Sequence, residues 1–316
     1  MPQAVLAPSA RIKAPTSIPL PLMVGAFLLL WTSAFSVAKL AIVDCPPLLL
    51  LAGRFLIAGV LMLAIAAINR VPWNLSARSI ALFALLGIAN QAIYLGLGYV
   101  GLRTVSSGLS VLIFSANPIV TAVFATLFLG ESVTWGKIVG LALGIAGVAF
   151  IVESRLSIGS DGLGGILLTV AALLSFVCGT ILFKRFAPKN GLWIGNGVQS
   201  LAAGLALLPF ALTFESTADI VPSWRLIAAF AYLVLAVSVV AYLLWFKILT
   251  MSAATAASSY YFLMPPLGIL LGWLLLGEQV AVSDLFGIVP VVLGIFLVTR
   301  PATIAGRLPL RAAVTK

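Results

Sequence analysis

Side chains able to recognise a polar organic molecule recur inside otherwise apolar runs of this chain. The first run holds Trp31, Thr32, Ser33, Ser36 and Lys39, and the second holds Arg54. The third carries Asn90, Gln91, Tyr94 and Tyr99, and the fourth Ser106, Ser107, Ser110, Phe114, Ser115 and Asn117. Ser175, Tyr242, Ser258, Ser259, Tyr260 and Tyr261 extend the pattern into the second half. Amides and hydroxyls can hold an ammonium or a carboxylate without a formal charge of their own. Aromatic faces stack on flat groups and attract cations. Asn90 and Tyr94 lie four apart, which puts them on one helix face, with Gln91 one position round. This chemistry is reversible recognition. Bond-making chemistry lacks candidates, because histidine is absent and no Ser-His pairing, GxSxG elbow or phosphate-binding GxxxxGK[ST] loop is present. Cys45 and Cys178 are isolated thiols with neither disulfide framework nor metal-ligand spacing. No enzyme activity, metal or cofactor is therefore expected.

Twelve of these residues form the expected substrate site: Trp31, Lys39, Asn90, Gln91, Tyr94, Tyr99, Ser110, Phe114, Ser175, Tyr242, Ser258 and Tyr261. A plainer role competes at most of them, since Ser, Asn and Gln also bond helix to helix in membranes. Lys39 and Arg54 can serve as carboxylate ligands, snorkel to the outer interface, or, for Arg54, bond a neighbouring helix. Trp31 can line a cavity or anchor packing. Tyr260 and Tyr261 are adjacent, so only one of them can face inward. Trp73, Trp135, Trp193, Trp224 and Trp273 sit nearer segment ends, where interfacial anchoring is the ordinary role.

The elements that position these residues follow from composition. The chain is 62% hydrophobic and 8% charged, with a mean hydropathy of +1.22, far from a soluble domain. Ten stretches approach the roughly 20 apolar residues a bilayer requires: Leu20–Val43, Pro47–Ile68, Ile80–Gly101, Val105–Leu129, Trp135–Val152, Leu163–Phe183, Leu192–Phe214, Leu226–Leu249, Ala253–Leu276 and Val282–Thr299. Runs such as LVLAVSVVAYLLW lack the period-two alternation of a barrel strand, so the spans read as helices. The expected fold is an all-α integral membrane protein, with short tails at 1–18 and 301–316 around one transmembrane domain at 19–300. With the N-terminus cytoplasmic, 13 Lys and Arg fall on the cytoplasmic side against 5 outside, which predicts both termini inside. That asymmetry accounts for the net charge of +10, and no nucleic-acid partner is expected, because the basic residues are scattered. The first apolar run is too long, and too marked by Trp31 and Lys39, to read as a signal peptide.

A repeat organises the spans. Pro118 to Gly147 matches Pro265 to Gly294 at a constant offset of 147, through Leu127/Leu274, Leu129/Leu276, Gly130/Gly277, Glu131/Glu278, Val133/Val280 and Gly140/Gly287. Five crossings separate the copies, so they lie on opposite membrane faces, as inverted repeats do. Repeat one then spans about 19–152 and repeat two about 163–300. Glu131 and Glu278 end up a bilayer apart, suited to capping or latching helix ends. Pro118 and Pro265 are expected inside helices, as paired kinks and hinges. Gly136, Gly140 and Gly144 form a smooth ridge for close helix approach, and Gly268 with Gly272 another.

The segments LWTSAFSVAK and AGRFLIAG and the two copies of P-x9-LGE resemble the EamA family of the drug/metabolite transporter superfamily, over nearly the whole chain. Within that family the chain looks most like the YddG-type aromatic amino acid exporters. The resemblance implies ten transmembrane helices in two inverted five-helix repeats around a central cavity, in the inner membrane of a bacterium. Glu131, Glu278 and Asp284 lie at segment ends, which leaves no carboxylate at mid-membrane depth to carry a coupling ion. The expected function is export of amino acids, aromatic ones included, and related small metabolites by facilitated or exchange transport. Partners are a small-molecule substrate and membrane lipids, and the sequence allows a monomer. Export of drugs, nucleotide sugars or other metabolites is the alternative, ahead of a lipid flippase or a channel.

Overall fold

Residues 19–101, 104–105, 113–153, 162–188, 191–276 and 282–300 are described by the structure, a computed structural model. Its elements are all helices. Among the described residues six stretches are long and apolar enough to cross a membrane: Leu20–Ala38, Pro47–Ile68, Ala77–Gly101, Leu163–Phe186, Leu192–Phe214 and Trp224–Met251. Ile113–Leu129, Trp135–Ile151 and Phe286–Thr299 are shorter apolar helices. Large apolar side chains such as Leu29, Ile57, Val60 and Phe210 face outward, while Arg54, Asn90, Gln91, Asn196, Gln199 and Ser238 are buried. That distribution inverts the soluble pattern and suits a lipid solvent.

In chain order the helices are α1 (Leu20–Ala41), α2 (Pro47–Ile68), α3 (Ala77–Gly87), α4 (Tyr94–Gly101), α5 (Asn117–Leu129), α6 (Trp135–Glu153), α7 (Leu163–Phe186), α8 (Leu192–Phe214), α9 (Trp224–Tyr232), α10 (Tyr242–Met251), α11 (Ala254–Ser259), α12 (Met264–Leu276) and α13 (Val282–Thr299). Three junctions run on without leaving helical geometry. A π-helical stretch, Ile88–Ile93, joins α3 to α4, and another, Leu233–Ala241, joins α9 to α10. A 3-10 helical turn, Tyr260–Leu263, joins α11 to α12. The helix starts obey local rules: Pro21 and Pro47 sit in first turns, where the missing N–H costs nothing. Ser76 and Ser223 cap α3 and α9 by accepting from the Ser79 and Leu226 amides.

The Leu-Gly-Glu motif of the first repeat has a structural explanation. Gly130 closes α5 in the left-handed region at φ +67°, a conformation that costs glycine nothing. The chain then turns so that Glu131 reaches the start of α11. Its Oε1 accepts from the Ala254 amide at 2.6 Å and its Oε2 from the Thr255 amide at 3.4 Å. The expected cap is thus present, and it joins the two halves of the chain. Glu278 lies outside the described residues.

Two helix pairs approach closely because glycine faces backbone. In the pair α6 and α13, a Cβ added at Gly140 would lie 2.6 Å from the Gly294 carbonyl, and one at Gly294 would lie 2.5 Å from that of Gly140. Gly147 and Gly287 repeat this exchange at 2.7 and 2.9 Å. In α2 and α8, a Cβ added at Gly59 would lie 2.6 Å from the Leu201 amide nitrogen, and one at Gly204 would lie 2.7 Å from that of Leu56. Both registers run antiparallel. Of the expected ridge, Gly140 and Gly144 take part, whereas a Cβ at Gly136 would come no nearer than 3.8 Å to the Leu297 carbonyl. The Gly268 ridge is corrected: Gly268 is exposed and meets only Thr32 Cγ2, at 3.9 Å.

The prolines also differ from expectation. Pro118 is the second residue of α5, after a turn at Ala116, and Pro265 is the second residue of α12, after the 3-10 turn. Each opens an α-helical stretch after an interruption, so neither breaks a regular ladder from within. Interior prolines are Pro209 in α8 and Pro290 in α13.

Gly140→Ala should lower the unfolding midpoint in detergent, at a cost of about 1 to 3 kcal/mol from forced separation of α6 and α13. Gly25→Ala, where an added Cβ meets nothing within 4 Å, should leave the midpoint unchanged or raise it. Equal midpoints for the two variants would contradict this packing.

Candidate functional site

Helical spacing builds an aromatic cluster at the centre of the bundle. Phe27 and Trp31 are one turn apart on α1, with rings 5.3 Å apart, and Tyr242 and Trp245 share a face of α10. Phe176 on α7 is the hub. Its ring lies 4.7 Å from Tyr94, 5.7 Å from Tyr261 and 6.0 Å from Trp245, centroid to centroid. Trp31 packs edge-on to Tyr242 at 4.9 Å, Trp245 to Tyr261 at 5.1 Å, and Phe114 to Tyr94 at 5.6 Å. Edge-to-face contacts of this kind add about 0.5–1.5 kcal/mol each beyond burial. Trp31, Tyr94, Phe176, Tyr242, Trp245 and Tyr261 are all buried. These rings occupy the space that the sequence reading assigns to a cavity, so this conformation is closed at its centre.

The tyrosines of this cluster sit where helices are irregular. Tyr94 and Tyr242 each follow directly on a π-helical stretch, and Tyr261 lies in the 3-10 turn. Wide π turns disturb the regular i to i−4 ladder, and lipid offers no water to repair it. Neighbouring side chains supply the donors. Ser175 Oγ donates to the Ala89 carbonyl at 2.9 Å, the Tyr242 hydroxyl to the Asn90 carbonyl at 3.1 Å, and Asn196 Nδ2 to the Ser238 carbonyl at 2.9 Å.

The bundle interior holds buried polar atoms without a partner among the described residues: Trp245 Nε1 and the Tyr261 hydroxyl within the ring cluster, and elsewhere both amide atoms of Asn90, Gln91 and Gln199 with Thr32 Oγ1, Ser200 Oγ and Ser258 Oγ. Buried polar groups are ordinarily paired, so such a concentration marks a place built for something besides packing. Arg54 belongs to the same interior. It is 3% exposed, and its Nε donates to Ser238 Oγ at 2.8 Å.

Of the expected set, the rings of Trp31, Tyr94, Phe114, Tyr242 and Tyr261 fall in one cluster and Tyr242 bonds the Asn90 carbonyl, while Gln91 and Ser258 are buried in the interior. Tyr99 is half-buried beside it, within electrostatic range of Arg54. Ser175 is used structurally, by its bond to Ala89. The Lys39 side chain and Ser110 lie outside the described residues. Tyr261 faces the cluster while Tyr260 is half-buried beside the α6 and α13 core, as their adjacency required. Snorkelling is corrected for Arg54, whose side chain turns inward to Ser238. Phe27, Phe176, Trp245 and the polar stripe Asn196, Gln199 and Ser200 were not in the expected set. Their signals were present in the sequence: Trp245 is one turn from Tyr242, and the stripe has i, i+3, i+4 spacing. Trp73, Trp135 and Trp224 are exposed at helix ends as expected, whereas Trp193 donates to the Met62 carbonyl at 2.8 Å.

Charged contacts close both ends of the bundle. At one end Arg225 grips Asp44 through Nη2 at 2.6 Å and Nε at 3.0 Å, and Ser223 Oγ adds a bond at 2.5 Å. Glu215 accepts from the Leu48 and Leu49 amides at 3.1 and 2.8 Å, which caps α2. At the other end, besides the Glu131 cap, Lys184 donates to the Leu249 and Ser252 carbonyls. Arg185 there donates to the Phe128 carbonyl at 2.8 Å.

A family model described as the EamA-like transporter family matches residues 20–153 and again 163–300. The uncharacterized transporter YvbV of Bacillus subtilis is 28% identical over 278 residues, covering 88% of this chain and 90% of that protein. The uncharacterized inner membrane transporter YedA of Escherichia coli K12 is 27% identical over 277 residues, 87% of this chain and 88% of its own. An S-adenosylmethionine/S-adenosylhomocysteine transporter of Chlamydia muridarum is 27% identical over 281 residues, 85% of this chain and 88% of its own. A solved structure described as a crystal structure of a protein shares the fold, with a TM-score of 0.75 at 18% identity over 89% of this chain and 96% of that one.

The Asp44 contact yields a pH response. Hydrogen bonds from Arg225, then from Ser223, hold its carboxyl below the ordinary value of 3.8, against the opposing pull of burial. A carboxylate held low contributes stability that is fully present above its unfolded pKa and lost as pH falls through the folded value. The loss should therefore begin below about pH 4. Asp44→Asn should lower the unfolding midpoint at pH 7, most at low salt, and the gap to wild type should close on acidification. A gap that fails to narrow as the pH falls below about 4 would contradict the assignment.

Proposed function

The chain belongs to the EamA-like transporter family, and we propose that it is a secondary transporter for small metabolites built on an amino-acid head group. The observation that carries this reading is the ring cluster in an interior that also holds buried amides and hydroxyls without a partner among the described residues. Rings suit a flat or cationic side chain, and amides and hydroxyls suit a zwitterionic head group. Amino acids, aromatic ones included, fit that pairing, in line with the resemblance to YddG-type exporters. S-adenosylmethionine and S-adenosylhomocysteine are the second reading. They join an amino-acid end to an adenine ring, and a transporter of that description is among the relatives. Nucleotide sugars suit the interior less, since Arg54 is the one buried Lys or Arg among the described residues.

Alternating access between two inverted five-helix repeats is the mechanism we assign. Three observations support it. One family model fits the chain twice. The glycine contacts of α6 and α13 are reciprocal at the 147-residue offset, Gly140 with Gly294 and Gly287 with Gly147. Shifted by the same offset, the π stretch Ile88–Ile93 falls inside Leu233–Ala241. The helix pairs α2/α8 and α6/α13 act as rigid staves, and the interrupted helices between them move. Pro118 and Pro265 stand at two of those interruptions and act as hinges. The Lys and Arg asymmetry orients both termini to the cytoplasm of a bacterium. Movement is facilitated or by exchange, because the carboxylates described sit at the ends of the bundle.

Purified protein in liposomes should show saturable counterflow of L-phenylalanine, L-tryptophan or S-adenosylhomocysteine without a pH or sodium gradient. Phe176→Leu should cut that flux about tenfold while leaving the unfolding midpoint within a few degrees of wild type, and Pro118→Ala and Pro265→Ala should slow it more than they lower expression. Saturable movement of a nucleotide sugar in the absence of all three probes would overturn the substrate class. Strict dependence on a proton gradient would overturn the uncoupled mechanism.

A further inference from the structure

Arg54 is a fixed positive charge in a place that supplies no negative one. It is the eighth residue of α2, about 10 Å along the axis from Pro47, and is 3% exposed. A guanidinium stays protonated and carries five N–H donors in a planar fork. One of these, Nε, is taken by Ser238 Oγ at 2.8 Å. Among the described residues no carboxylate pairs with it. Asp44 is held by Arg225 and Ser223, Glu131 by the start of α11, and Glu215 by the start of α2. Asp219 is exposed at the surface. Burying a charge without a counter-ion is costly, and within a membrane such a charge ordinarily has a functional partner.

The groups near the guanidinium fit a bound anion. Tyr94, Tyr99 and Tyr242 are the phenols within its electrostatic range; the Tyr242 hydroxyl is committed to the Asn90 carbonyl, which leaves Tyr94 and Tyr99 to donate a hydroxyl proton to an oxyanion. Tyr94 and Tyr242 are at the same time walls of the ring cluster, against Phe176 and Trp31. Two of the phenols in the guanidinium's electrostatic range are thus also members of the aromatic box.

We propose that Arg54 binds the carboxylate of the transported molecule, which brings its own counter-ion into the interior while the ring cluster holds the remainder. This rests on the carrier reading above and sharpens its substrate class to compact molecules whose carboxylate lies close to a flat or cationic group. A single buried guanidinium matches a monoanionic carboxylate, whereas a dianionic phosphate would leave charge uncompensated. Ser238 acts as a positioning residue that holds Nε and turns the remaining fork toward the tyrosines.

The test uses the full-length protein in liposomes and paired probes: L-phenylalanine with L-phenylalaninamide, and S-adenosylhomocysteine with its carboxamide. In the wild type, the acid should compete for counterflow at least about 10-fold better than its amide, the scale of a charge-assisted contact. Arg54→Gln should weaken the acid at least about 10-fold while leaving the amide within about 3-fold, so the preference disappears. Arg54→Lys, which keeps the charge but loses the fork, should retain a reduced preference. If wild type shows no acid preference, or if Arg54→Gln keeps it, the Arg54 assignment is overturned and the carrier reading stands. Equal loss of acid and amide in a variant with an unchanged unfolding midpoint would also overturn it, since that is the mark of a structural arginine. If wild type moves none of the four probes, the carrier reading falls and this proposal with it.

Discussion

Side-chain donors bonded to carbonyls of irregular helices hold the interior of this protein together. In lipid, a carbonyl outside the regular ladder finds no water, so each interruption must be repaired by the protein itself. Ser175, Tyr242 and Asn196 add side-chain bonds to the carbonyls of Ala89, Asn90 and Ser238 within these stretches. The first two tie the same π stretch to α7 and α10, and the third ties the other π stretch to α8. Because Tyr242 is also a wall of the ring cluster, the positions of the rings and the state of the irregular helices are one structural variable. Any opening of the ring cluster must therefore be accompanied by rearranged bonds in the π stretches.

Rigid and movable parts separate along this line. Close glycine contacts lock α2 to α8 and α6 to α13 through backbone, where even a methyl group has no room. The helices carrying Tyr94, Tyr242 and Tyr261 are the interrupted ones. At the two ends, closure depends on a few charged contacts: Asp44 with Arg225 at one, and Glu131 with the start of α11 at the other.

Much of this was legible in the sequence, because its signals are local. Apolar run lengths gave the helices, and Gly130 with Glu131 announced a helix end followed by a cap. The side-by-side tyrosines at 260 and 261 forced one inward and one aside. What the sequence hid were features that depend on tertiary context. No spacing rule distinguishes a π turn from an α turn, so Asn90 and Tyr94 were assigned an ordinary i, i+4 face. Arg54 was ambiguous for a similar reason: its position in α2 allowed an outward reach, and only the packing of Ser238 against it turns it inward. Phe176 is a lone aromatic in an apolar helix, and nothing in its flanking residues marks it as the hub. Pro118 and Pro265 were visible as a pair, but whether a proline breaks a helix or begins one depends on the preceding turn.

The central claim is that the ring cluster is where the transported molecule sits, and that it must open for transport to occur. Cysteine accessibility at the hub tests it most directly. Cys45 and Cys178 are the two cysteines of the chain. With both replaced by serine and Phe176 replaced by cysteine, reaction with a small polar thiol reagent should be slow at rest and faster during counterflow. Saturating L-phenylalanine or S-adenosylhomocysteine added on ice, where turnover stops, should slow it at least severalfold. A reaction rate that ignores both turnover and bound substrate would contradict the account, because the hub would then be a packing residue away from the transport path.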